Sequence, residues 1–158
     1  MICSIVSTGK ELSFKCKNEN EYPYKTMKEK LREDIWELYC SGYDEFYLNC
    51  EYGIPLWAAE IICALKMYNP IILNIVTPYE EQTTDWCEEW RNRYFEIHEK
   101  ADTIKIMHTK YQNDAYENTD RYMIDTCDAI YLFNASSAAS SAEKYAKIQN
   151  KKILYFSI

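Results

Sequence analysis

The sequence predicts an α/β fold, a mostly parallel sheet wound in two directions and flanked by helices on both faces. Three observations predict it. Short apolar runs alternate with segments of helical period along the 158 residues, which is the pattern of strand–helix–strand units. One run, residues 71–76, is almost continuously apolar, as suits a strand covered on both faces. Hydrophobic residues make up 47% of the chain, enough for a real core, so residues 1–158 are read as a single domain.

The elements follow in order. Residues 1–7 form a first strand, and a polar segment runs to Pro23. Thr26-Met27-Lys28-Glu29 reads as a capping box at a helix start, and Met27, Leu31, Ile35 and Leu38 then share one helical face. Gly42 ends that helix. Residues 45–49 are the second strand, and Pro55 suits the first turn of the next helix, whose buried stripe is Ala58, Ile61, Ile62, Leu65 and Tyr68. Asn69-Pro70 stops it ahead of the third strand, 71–76. A loop, TPYEEQTT, leads to a third helix with Trp86, Trp90, Tyr94 and Ile97 along one side. Residues 103–108 make the fourth strand, and 114–117 cap a fourth helix that runs to about Cys127. Residues 129–133 make the fifth strand. The run ASSAASS, a last helix with Tyr145, Ala146 and Ile148, and a final strand at 153–156 complete the order. Right-handed crossovers turn this alternation into a Rossmann-like, doubly wound sheet.

Composition excludes several roles. The net charge of −7 repels a nucleic-acid backbone, and no Lys or Arg run offers a local patch. The seven cysteines, an odd number, are scattered and never form C-x-x-C, so they read as reduced thiols used as small hydrophobes. Two histidines cannot complete a zinc site with them. The N-terminus lacks the basic flank and long apolar core of a signal peptide, and Glu60, Lys66, Asn69, Pro70 and Asn74 interrupt the one stretch that resembles a membrane span. The expected location is cytoplasmic. No membrane contact, metal or cofactor is expected.

In a sheet of this kind ligands bind beyond the carboxyl ends of the strands, where strand order reverses. Five loops qualify: Ser7-Thr8-Gly9, 49–55, 77–82, the segment after His108, and 134–141. A single small anion can be held there by helix-start amides without net positive charge. Three motifs lie among these loops and the elements beside them: W-A-A-E from Trp57 to Glu60, T-P-x-x-x-Q-x-x-x-W from Thr77 to Trp86, and R-Y-M-x-D from Arg121 to Asp125. On these motifs the chain resembles the YpsA family of the SLOG superfamily, Rossmann-like proteins related to the LOG enzymes and to DprA. The resemblance runs through the chain and is weakest before residue 45. It implies a pocket for a nucleotide-like ligand, of the ADP-ribose or nucleoside-monophosphate type, and no particular reaction. The chain departs from the family at its glycines. Family members resemble G-G-A-x-G ahead of the W-A-A-E helix, where residues 49–53 keep only Gly53. They often carry glycines after the fifth strand, where this chain has Ser136-Ser137-Ala138-Ala139-Ser140-Ser141. Glycine permits positive φ and close backbone approach to phosphate. A changed ligand and a lost site are therefore both open.

The ligand candidates are Thr8, Gly9, Gly53, Trp57, Gln82, Arg121, Asn134, Ser136, Ser137 and Ser140. Trp57 could stack on a base or cover the sheet edge. Glu60 could face the same site or favour its helix dipole. Gln82 sits in a loop above the sheet, while Trp86 begins an apolar stripe. Arg121 could meet a phosphate or pair with Asp125 four residues on. Residues 136–143 lie on the LOG-type pattern G-G-x-G-T-x-x-E, which makes Glu143 the one catalytic candidate; Ser140-Ser141-Ala142-Glu143 is also a capping box. The leading reading is a nucleotide-derivative-binding protein with no assigned reaction. The alternatives are a LOG-like nucleoside 5′-monophosphate phosphoribohydrolase using Glu143 and Arg121, and a scaffold with a degenerate site that acts through a protein partner. A homo-oligomer is left open.

Overall fold

In the computed structural model, residues 1–8, 18–134 and 138–157 are described. Six strands and five helices alternate along them: β1 (Ile2–Thr8), α1 (Tyr24–Cys40), β2 (Glu45–Leu48), α2 (Ile54–Lys66), β3 (Ile72–Thr77), α3 (Glu88–Lys100), β4 (Thr103–Ile106), α4 (Ala115–Thr126), β5 (Ala129–Asn134), α5 (Ser141–Ile148) and β6 (Lys152–Tyr155). Every neighbouring pair of strands is parallel, in the order β4-β3-β2-β1-β5-β6. From β1 the chain steps outward through β2, β3 and β4. It then returns to the other side of β1 for β5 and β6. Strand order therefore reverses between β1 and β5.

Alternate strand residues face opposite layers. Cys3, Ile5, Phe46, Leu48, Leu73, Ile75, Tyr131 and Phe133 share a core with α1, α2 and α3. Val6, Val76, Ile130 and Leu132 pack on the other side against Met123 and Ile124 of α4 and Ala142 and Ala146 of α5. Both faces are covered, as the apolar run of β3 requires. Cys3, Cys50, Cys63 and Cys127 are buried, and none of the described cysteines forms a disulfide. Among the described residues no helix is long and apolar enough to cross a membrane.

Several sequence expectations shift. Helix α1 begins at Tyr24 behind Pro23 and lacks a side-chain cap, so Thr26 lies inside the helix and its capping box does not form. Helix α2 stops at Lys66 and is buried on most of its circumference; Tyr68 lies beyond its end and is 85% exposed. Glu60 therefore falls in its second turn, where its carboxylate takes Arg93 Nε at 2.6 Å and Nη2 at 2.8 Å. Trp86 precedes α3, and Ile148 at the end of α5 points into solvent. At α5 the capping reading does hold on one side: Ser140 Oγ accepts from Glu143 N at 3.1 Å.

Candidate functional site

The carboxyl ends of all six strands point the same way, so the loops that follow them share one rim. Thr8 pairs with Asn134 at the end of the β1–β5 ladder, which starts the loops after both strands side by side at the point of reversal. A cleft of about 610 Å³ opens on this rim, and every one of the five anticipated loops or the helix that follows it contributes to it. Ser7 comes from the end of β1 and Ser141 from the start of α5. Asn49, Glu51 and Tyr52 follow β2; Tyr79, Gln82 and Trp86 follow β3; Tyr111, Tyr116 and Asp120 follow β4. The N-termini of α2, α4 and α5 all open here, through Ile54, Tyr116 and Ser141, bringing the positive ends of three helix dipoles to one place.

The β2–α2 loop has a defined shape. Asn49 Oδ1 accepts from the Glu51 amide at 3.0 Å, Cys50 takes a left-handed φ of 54°, and Gly53 caps α2 at φ 101° and ψ −137°. A side chain at position 53 would be strained, so the one glycine kept in this loop is the one its geometry demands. The turn then hands its carbonyls to the helix, Glu51 O to Leu56 N and Gly53 O to Trp57 N, both at 3.0 Å.

Glu51 is the hub of the cleft floor. Its Oε2 accepts from Gln82 Nε2 at 3.3 Å and from the Tyr116 hydroxyl. Gln82 Nε2 also reaches Asn49 O at 3.3 Å, so its amide orientation is set by two acceptors. The other amide atom, Gln82 Oε1, is buried and has no partner among the described residues, in a residue only 3% exposed. Burial, with the Glu51 charge second, holds the Tyr116 hydroxyl far above the usual phenol range. Tyr79 meets Tyr111 and Tyr116 edge to face, at 5.3 and 6.1 Å between centroids, and Tyr52 meets Trp86 at 5.2 Å. One helical turn past Tyr116, burial and then the charge of Glu117 push the Asp120 carboxyl up to about 7. Glu51, Asp85, Glu117 and Asp120 bring carboxylates to the cleft, while no lysine or arginine is found among the described residues that line it.

The sequence-selected residues divide. Gln82 lies in the cleft, and Gly53 shapes the loop beneath it. Trp57 does not reach the cleft: it is 0% exposed, its ring edge-on to Tyr24 at 6.3 Å with Lys28 Nζ 5.6 Å from its centroid, so no face is open to a base. Arg121 is half exposed and pairs with Glu117 at 2.6 Å, not with Asp125; its guanidinium lies 5.3 Å from the Tyr145 ring centroid, and Asp125 takes the Tyr145 hydroxyl instead. Asn134 Nδ2 donates to Ala138 O at 2.9 Å. Glu143 turns its carboxylate to Lys147 at 2.6 Å and to the Tyr155 hydroxyl at 3.0 Å, away from the cleft. Gly9, Ser136 and Ser137 lie outside the described residues, and of Thr8 only the backbone is described. The carboxylates and tyrosines of the cleft went unselected. Their one signal was position: Tyr52, Tyr79 and Tyr111 stand in rim loops, and Tyr116 and Asp120 are four apart on the helix that follows.

Comparison with known proteins supplies a family. The YpsA family model, described as the YspA SLOG family, matches residues 6–155. A UPF0398 protein of Halalkalibacterium halodurans is 28% identical over 129 residues, covering 80% of this chain and 68% of that protein. One from Macrococcus caseolyticus is 30% identical over 109 residues, 68% of this chain and 57% of its own length. One from Staphylococcus aureus strain JH9 is 28% identical over 109 residues, 67% of this chain and 58% of its own length. The match thus spans between roughly three fifths and two thirds of each relative.

Proposed function

The chain belongs to the YspA SLOG family, and on that premise we propose that it binds a nucleotide derivative, of the nucleoside-monophosphate or ADP-ribose type, in the cleft above the β1–β5 reversal. The observation that carries this reading is the cleft itself. At about 610 Å³ it has room for a mononucleotide, and it lies where open parallel sheets take such ligands. Its tyrosines offer faces and edges to a base. The helix start at Ser141 suits the phosphate end, because the first amides of a helix have no carbonyl partner within it. The four carboxylates favour the reverse placement for the base, away from that anion.

Phosphoribohydrolase chemistry has less support, because Glu143 is engaged by Lys147 and Tyr155 and Arg121 by Glu117. The reading is tested by thermal melting of the purified protein with nucleoside monophosphates, ADP-ribose and NAD at millimolar concentration, together with mass spectrometry of small molecules released on denaturation. A rise in melting temperature with at least one of them supports it. No rise with any, and no released nucleotide, removes it.

A further inference from the structure

Resting on that reading, we infer that the base end of the cleft takes a cationic ring, so that the nucleotide derivative bound there carries a positively charged base. Two sets of side chains share this end. Tyr52, Tyr79, Trp86, Tyr111 and Tyr116 line it with aromatic rings, and Tyr52 and Tyr111 are exposed. Glu51, Asp85, Glu117 and Asp120 are the second set. Arg121 offsets the charge of Glu117 at 2.6 Å. Glu51 is held by Gln82 Nε2 and the Tyr116 hydroxyl, neutral donors that fix the carboxylate without cancelling its charge. Asp85 and Asp120 form no ion pair among the described residues. The two sets act on each other at Tyr79, whose ring meets Tyr111 and Tyr116 edge to face. Its hydroxyl is held above the usual phenol range by burial first and, among the carboxylates, by Glu51 and then Asp85.

The face of an aromatic ring carries negative potential, and clusters of such rings hold ligand cations. Carboxylates beside the rings add a field of the same sign, which a cleft with low-dielectric walls strengthens. A neutral base gains only stacking there, while its phosphate still meets the field of the carboxylates. A cationic base gains the stacking and offsets the carboxylates as well. The Asn113 amide and the tyrosine hydroxyls are neutral and serve the polar atoms of either kind of base, so they do not set the sign of the charge the cleft prefers. A pyridinium, or a base alkylated at a ring nitrogen, spreads its charge over a flat face and so meets both sets of side chains at once.

The test is calorimetric titration of the intact protein with two pairs of mononucleotides that differ in the charge of the base. One pair is nicotinamide mononucleotide and its reduced, neutral form; the other is 1-methyl-AMP, cationic at about pH 7.5, and AMP. In both pairs the cationic member is expected to bind at least about tenfold tighter, and the ratio to shrink in about 0.5 M salt. Asp85→Asn, at an exposed position, is expected to weaken the cationic members by about threefold or more and to leave the neutral ones within about twofold. An unchanged melting temperature shows that this variant is folded. Equal affinities within a pair, tighter binding of a neutral member, or a ratio indifferent to both salt and Asp85→Asn overturns the inference and leaves nucleotide binding standing. Failure of every nucleotide to bind overturns both.

Discussion

Asp120 shows how one residue can report on the site without any ligand. Its carboxyl is pushed up to about 7 in the folded chain, against about 4 for an unfolded aspartate. Between those values the folded state holds a proton that the unfolded state has lost. Stability from this group therefore falls as pH rises from about 4 to about 7 and stays low above that. Burial and then the charge of Glu117 are the causes of the rise. Asp120→Asn should leave stability at pH 4 unchanged and raise it at pH 8. A shift of this size corresponds to about 4 kcal/mol in a dry site, and water in the open cleft reduces it to roughly 1–2 kcal/mol. Urea unfolding of both proteins at the two pH values measures this; an equal difference at both would remove the role assigned to the carboxyl. Gly53 makes a complementary point at the same scale. The loop after β2 is poor in glycine, and the one it keeps, Gly53, holds a φ of 101° that a residue with a side chain rarely adopts.

Between elements, Arg93 of α3 ties several together. It bridges Glu60 of α2 and Glu19, which precedes α1, with contacts of 2.6 Å to each, and its guanidinium carbon lies 4.6 Å from the Trp90 ring centroid. The side chain is 18% exposed, so both carboxylates would be left in partly dry surroundings without it. Their attraction, opposing the desolvation of each group, holds the Glu19 carboxyl below the usual range. Arg93→Ala should destabilise the chain by about 2–3 kcal/mol, and urea unfolding gives the value. A change under about 0.5 kcal/mol would place the cluster with ordinary surface ion pairs. The contrast is Arg121, whose single i,i+4 pair with Glu117 is half exposed on both sides and contributes only a few tenths of a kcal/mol. Sequence spacing made Arg121 prominent and left Arg93 unremarked, because the partners of Arg93 lie 33 and 74 residues away.

Across the whole molecule, the sheet has a protected centre and wet edges. β1 and β5 lie inside and supply residues to both cores, whereas all four residues of β4 are exposed and β6 is no more than half-buried. Amide hydrogen exchange should therefore show β1 and β5 opening at higher free energy than β4 and β6, by at least about 2 kcal/mol. Uniform protection across the sheet would contradict this layering. The strand–helix alternation, the both-faces-covered β3 and the rim on which a site must lie were all readable from residue pattern, because period and turn chemistry are local and right-handed crossovers leave few ways to arrange them. The loops named from pattern, 49–55 and 77–82 among them, do line the cleft. The particular atoms in it were not readable. Trp57 and Gln82 both sit in motifs near the rim, and only the packed structure shows the indole turned into the core and Gln82 lining the cleft. Glu51 and Tyr116 meet from elements far apart in the chain, and the raised Asp120 carboxyl follows from burial that only the folded cleft creates. Local order along the chain specifies which elements form and which ends they present; which side chains share a space, and what charge they hold there, depends on distances that exist only once the layers have closed.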